Sequence, residues 1–147
     1  MDRSELDALL TSEALTLLRS INDPHSQDDV LSRVSALRKE GHSLATVSAV
    51  MGQLALRAKA RDKFGEFAEH MLFSKEGLEV ASRLAVSSHH AGRFLQAELT
   101  SVVDAGCGIG GDSLAFAGAG LHVRALEAQE VTAALAAFNL KPFDTVS

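Results

Sequence analysis

The stretch from Thr100 to Glu127 constrains the fold more tightly than any other part of the chain. Thr100-Ser101-Val102-Val103-Asp104 is short and β-branched, and it runs straight into Ala105-Gly106-Cys107-Gly108-Ile109-Gly110-Gly111-Asp112. Ser113-Leu114-Ala115-Phe116-Ala117 then reads as helix and Gly118-Ala119-Gly120 as a tight exit. Leu121 to Glu127 reads as a second strand and Thr132 to Leu140 as a second helix. A helix between two strands returns the chain to the same end of the sheet, so the pattern calls for a parallel βαβα unit with a right-handed crossover.

Upstream, from the start to about Gln96, the apolar residues recur at helical spacing, as in Leu6, Leu9, Leu10 and Leu15, Leu17, Leu18. Asn22-Asp23-Pro24-His25 reads as a turn, and Ser26-Gln27-Asp28-Asp29 resembles a capping box opening a helix that carries Val30, Val34 and Leu37. Gly41 ends that helix, and Ser43 caps the next, whose stripe is Leu44, Val47, Val50, Met51, Leu54 and Leu56. Arg57, Lys59, Arg61 and Lys63 follow before Gly65; spaced by two, they spread around a helix and read as a solvated surface. Two further helices fit after Ser74 and from Ser88 to Ala97. The chain therefore divides at sequence level into a helical region, 1–97, and a sheet-forming region, 98–147.

A chain of 147 residues with 46% hydrophobic and 22% charged residues is composed like a globular protein. Its net charge of −5 gives no general reason to hold a phosphate backbone. The single cysteine, Cys107, excludes an internal disulfide and points to a reducing, cytoplasmic setting. The N-terminus Met1-Asp2-Arg3-Ser4-Glu5-Leu6 lacks the apolar core of a secretory signal, and no segment approaches the roughly 18 apolar residues of a membrane span, so no membrane partner is expected.

The glycine segment carries the chemistry. Gly106 allows a tight turn off the first strand, while Gly108 and Gly110 let a ligand approach the backbone where a Cβ would collide. Glu127 closes the second strand at the separation at which an acid meets a pair of ribose hydroxyls. Gly106, Gly108 and Gly111 also fit Gly-x-Gly-x-x-Gly, so a nicotinamide or flavin dinucleotide oxidoreductase is the competing reading. Against it, Asp104 places a carboxylate at the strand tip, which suits a cationic amino-acid moiety and repels a pyrophosphate. About a hundred residues also precede the first strand, whereas a simple dinucleotide domain often begins with it.

Val103-Asp104-Ala105-Gly106-Cys107-Gly108-Ile109-Gly110-Gly111-Asp112 resembles motif I of class I S-adenosylmethionine-dependent methyltransferases. Met71-Leu72-Phe73-Ser74-Lys75-Glu76-Gly77-Leu78-Glu79-Val80-Ala81-Ser82-Arg83 is similar to the stretch that precedes it in bacterial members carrying a THUMP-like domain, with Val80 and Ser82 standing where glutamine and threonine are usual. Leu56 to Gly65 matches the same family. The resemblance implies a Rossmann-like fold and S-adenosyl-L-methionine as cofactor, with Asp104, Ala105, Gly106, Cys107, Gly108, Gly110, Asp112, Glu127 and Ala128 around it. The methionine part would lie near Asp104, Gly106 and Gly108, and the ribose on Glu127. Glu127-Ala128 replaces a common acid-x-acid pairing. RNA is the substrate class the family implies.

The family's substrate-side Asn/Asp-Pro-Pro segment and its THUMP-like region have no counterpart, since the prolines are Pro24 and Pro142. The expectation is thus an incomplete, Rossmann-like class I unit: the front of a methyltransferase, inactive alone, with RNA contacts supplied by absent C-terminal regions. Its exposed sheet edge would offer a route to self-association. A non-catalytic helical interaction module is the third reading. No catalytic residue and no metal site is assigned. Cys107 has no base paired with it in sequence, and His89-His90, adjacent on a helix, point in different directions.

Overall fold

The computed structural model describes residues 1–21 and 30–147, so the turn at Pro24 and the capping pattern at Ser26 to Asp29 lie outside the described residues. The chain is mixed α/β, mostly helical with a small parallel sheet. Two compact units divide it, Met1–Ala58 and Lys59–Ser147, the division falling inside a helix. The change from helix to strand comes later, between Gln96 and Ser101.

The first unit contains α1 (Arg3–Leu9), α2 (Ser12–Ser20), α3 (Val30–Lys39) and the start of α4 (Leu44–Phe64). Short polar side chains just outside α1, α2 and α4 satisfy first-turn amides that have no partner within the helix. Asp2 accepts from the Glu5 N–H while Glu5 accepts from the Asp2 N–H, both at 2.9 Å, a reciprocal capping box. Thr11 accepts from Ala14 N–H at 3.2 Å, and Ser43 from Thr46 N–H at 3.0 Å. Gly41, at φ +94°, ends α3 as expected, and the His42 N–H folds back to the Leu37 carbonyl. Leu6, Leu9, Leu18, Leu37, Val47 and Val50 are buried, whereas Leu44, in the first turn of α4, is exposed.

The second unit continues from α4 through a 3₁₀ segment at Gly65–Glu69 and an extended stretch to α5 (Lys75–Val80) and α6 (Leu84–Gln96). Then come β1 (Ser101–Ala105), α7 (Gly111–Gly118), β2 (His122–Leu126) and α8 (Glu130–Leu140). The two strands pair in parallel, with Ser101 opposite His122 and Ala105 opposite Leu126. Beyond them, Val146 bridges Val123 in parallel along the outer side of β2.

Backbone direction alternates along a strand. The Thr100 carbonyl and the Gly106 N–H point to β2, so Ser101, Val103 and Ala105 direct their backbone groups to the other side, where the described residues place no strand. One face of the sheet is covered: Val123, Phe116, Ala117, Leu121 and Ala91 form a buried cluster with Phe94, Val102 and Val146 packed on it. Phe94 and Phe116 meet edge to face at 5.4 Å. The opposite face leaves Val103 61% and Leu126 45% exposed.

Of the four cations after Leu56, Lys59 is exposed as the spacing implies, while the other three are half-buried and engaged. Lys63 donates to the carbonyls of Leu78, Glu79 and Ala81 at 2.7–2.9 Å, closing the C-terminal end of α5, and Arg61 pairs with Glu69. Within the first unit, Arg57 reaches the Leu18 carbonyl. Among the described residues no helix is long and apolar enough to cross a membrane.

Candidate functional site

The parallel pairing brings the C-terminal tips of β1 and β2 side by side, and the glycine loop leaves the sheet there. Gly106, Gly108 and Gly110 all adopt positive φ, +86°, +58° and +86°. At Gly106 and Gly108 a Cβ would project into open space, so their bare backbone faces a vacant side of the loop. Gly110 differs, because a Cβ there would press on Leu140 of α8 at 3.0 Å. Two of the loop's glycines are thus turned to where a ligand could lie, and one to the protein.

Glu127, just past the tip of β2, reaches back to the loop: its carboxylate accepts from Gly108 N–H at 3.0 Å and from Gln129 N–H at 2.9 Å. Asp104, on β1, accepts from the Ser113 hydroxyl at 2.6 Å. Asp112, in the first turn of α7, receives only a long contact from Ser82 at 3.4 Å, and its Oδ1 is buried with no hydrogen-bond partner. An orphaned carboxylate oxygen is costly unless something supplies a donor. Asp104 and Asp112 line a cavity of about 570 Å³ together with His90, Arg93, Phe94 and Phe116.

Cys107 is buried, 9% exposed, and its thiol is pushed up to about 11 by burial first and then by the negative charges of Asp104 and Glu127. A thiol so placed stays protonated at neutral pH and is no nucleophile. Ala105 is exposed at the end of β1 and Ala128 follows Glu127 at the tip of β2. His89 and His90 are exposed on α6, and no cluster of three or more metal-ligating side chains occurs among the described residues.

The strap from Met71 to Arg83 closes the loop from below. Ser74 caps α5 through the Gly77 N–H at 3.0 Å, and α5 then lies so near the loop that a Cβ on Gly77 would run into the Ile109 side chain. Asn139 of α8, only 4% exposed, ties the two together. Its Oδ1 accepts from Leu72 N–H at 2.7 Å, and its Nδ2 donates to the carbonyls of Leu72 at 3.0 Å and Ile109 at 2.9 Å.

The structure therefore gathers Asp104, Gly106, Cys107, Gly108, Gly110, Asp112 and Glu127 at one end of the sheet. Sequence reasoning missed Ser82, Arg93, Ser113 and Asn139. For Asn139 a signal was available: it lies four residues after Leu135 and just before Leu140, an amide on the apolar side of an alanine-rich helix. Buried amides in such places are kept by what they bond.

A family model described as a domain of unknown function (DUF8688) matches residues 2–60, less than half of the chain and entirely upstream of the glycine loop. No curated protein and no solved structure matches the chain.

Proposed function

We propose that residues 71–140 form the donor-binding part of an S-adenosylmethionine-dependent methyltransferase with a Rossmann-like fold. One observation carries the reading: glycines with open Cβ positions at the tip of a parallel strand, facing a carboxylate at the tip of the next, beside a cavity that Asp104 and Asp112 line. Glu127 takes the ribose hydroxyls, exchanging its bond from Gly108 for charge-assisted ones. Gly106 and Gly108 present bare backbone to the thioether chain. Asp104 and the half-satisfied Asp112 receive the ammonium group, and the exposed Arg93 on the rim of the same cavity receives the carboxylate. When bound, the cofactor would supply an electrophilic methyl group on a positively charged sulfur, and the nearby carboxylates of Asp104 and Asp112 would favour binding of that cation.

The dinucleotide reading fares worse on the same geometry. A pyrophosphate wants the bare amides of a helix N-terminus, but Asp112 puts a carboxylate in the first turn of α7, and Asp104 stands close by on Ser113. RNA as the methyl acceptor is part of the proposal and rests on the resemblance of Met71 to Arg83 and of the glycine segment to the THUMP-like methyltransferases.

Calorimetric titration with S-adenosylmethionine, S-adenosylhomocysteine and NAD tests the donor site. The expected result is binding of the first two and not of NAD, with Glu127→Ala weakening it by about ten- to a hundredfold, the worth of bonds to a charged group. Preferential binding of NAD would overturn the reading. Binding of none would favour a helical interaction module.

A further inference from the structure

We infer that Asn139 is a positioning residue: it holds the glycine loop in its ligand-receiving shape and couples the loop to the strap at Leu72, so that seating a ligand and docking the strap are one event. This rests on the donor site proposed above. A loop built on Gly106, Gly108 and Gly110 has little conformational preference of its own, because glycine visits left- and right-handed regions with nearly equal ease. Its shape must come from outside ties. The peptide that matters most joins Ile109 to Gly110; turning its carbonyl over would carry Gly110 away from φ +86° and swing its N–H off the Cys107 carbonyl.

Besides the backbone bonds from Gly106 and Cys107 to the Leu126 carbonyl and from Gly110 to the Cys107 carbonyl, three side-chain ties act on this segment. Glu127 accepts from Gly108, Ile109 is wedged beneath Gly77, and Asn139 donates to the Ile109 carbonyl. In the proposed site the ribose competes for Glu127, so the first tie is given up when the ligand arrives. Asn139 is the polar side-chain tie that persists. Its amide is also fully used, since Oδ1 and both hydrogens of Nδ2 are bonded, and the reversed orientation of the amide would set its oxygen against two carbonyls. A leucine would fill a similar volume at lower desolvation cost, but it would leave Leu72 N–H and the Ile109 carbonyl without this partner.

The test compares Asn139→Leu with Leu135→Ala, a change at a fully buried residue of the same helix that figures in none of the loop's ties. Both should lower the melting temperature. Only Asn139→Leu should speed amide exchange at Gly108 and Gly110 at a temperature where both proteins are folded, and only it should weaken S-adenosylhomocysteine binding by about tenfold or more, as a displaced supporting shell does. In the unmodified chain, adding S-adenosylhomocysteine should slow exchange at Leu72 N–H. If Asn139→Leu does not fold, Asn139→Asp, which keeps the bond from Leu72 N–H and loses both donations, carries the comparison.

Equal exchange at Gly108 and Gly110 in the Asn139 and Leu135 variants would overturn the positioning role, as would unchanged affinity in Asn139→Leu. Absence of ligand binding by the unmodified chain would overturn the donor site, and the exchange comparison would still decide whether Asn139 positions the loop.

Discussion

In Met1–Ala58 the side-chain hydrogen bonds that cap the helices reach three residues along the chain, from Asp2 to Glu5, Thr11 to Ala14 and Ser43 to Thr46. In Lys59–Ser147 the ties that shape the site span far more: 15 residues from Lys63 to Leu78, 30 from Asn139 to Ile109 and 67 from Asn139 to Leu72. The first unit is stabilised by helices that cap themselves. The second holds a loop of glycines in place with side chains that come from remote parts of the sequence. Local ties form early and survive local opening, whereas long ties exist only when the whole unit is closed. That difference gives each unit its own signature under perturbation.

The largest contrast is expected at Cys107. From an ordinary 9.0 to about 11, the thiolate fraction at pH 8 falls about a hundredfold, and burial slows attack further. Labelling by a thiol reagent should therefore be slow in the native protein and approach the rate of a free thiol only when the second unit opens. Because the raised value favours the protonated folded state, this stabilisation is complete below about pH 9 and disappears as the pH rises through 11. Rapid native labelling at pH 8 would break the comparison, since it would mean that the loop is open without unfolding.

Next in size is Gly77→Ala. The added methyl meets the Ile109 side chain and lies 2.9 Å from the Ser74 oxygen, so α5 must back away from the loop. Overpacking of this kind costs about 1–3 kcal/mol. Chemical denaturation followed by Cys107 accessibility would measure it. A loss under a few tenths of a kcal/mol would show that the strap is not seated on the loop as described.

The legible parts of the chain are those whose causes are local. Ser43 as a cap, Gly41 as a stop, the parallel strands and the loop glycines all follow from neighbours in sequence, and the structure has them within a residue or two of the expected places. The 3₁₀ segment at Gly65–Glu69 was not legible, since its pattern is too short to carry a period. Lys63 looked like one of four surface cations because nothing near it in sequence shows that Leu78, Glu79 and Ala81 will bring three carbonyls to its ammonium group. Asn139 and Ser113 were passed over for the same reason. The glycines and acids of the candidate site stand out by their spacing, but the residues that hold them still are placed only by the fold.

A smaller effect separates the units from the other direction. Thr11→Ala removes the cap on Ala14 N–H and should cost about 1 kcal/mol, with faster exchange confined to α2. Exchange at Gly108 and Gly110 should not change. A perturbation that spread to the loop amides would mean that the local ties of the first unit and the long ties of the second are not independent.

The smallest effect is at Asp2, and its sign follows from the capping box. The Glu5 N–H, helped by the Ser4 hydroxyl, holds the Asp2 carboxyl below its usual 3.8, because both donate to the charged form. A group whose value is depressed on folding contributes stability that is present above its unfolded value and is lost as the pH falls through the folded one. The α1 amides of the unmodified chain should therefore exchange faster as the pH is lowered from 4 towards 2, beyond the change in intrinsic rate. Asp2→Asn supplies the control. Asparagine caps nearly as well as aspartate, so the neutral-pH stability should barely move, while the acid-dependent part attributable to residue 2 should vanish because no proton is taken up there. Identical acid profiles for the two proteins would show that the carboxylate at position 2 is solvated rather than bonded to Glu5, and would remove the clearest example of a purely local tie in the first unit.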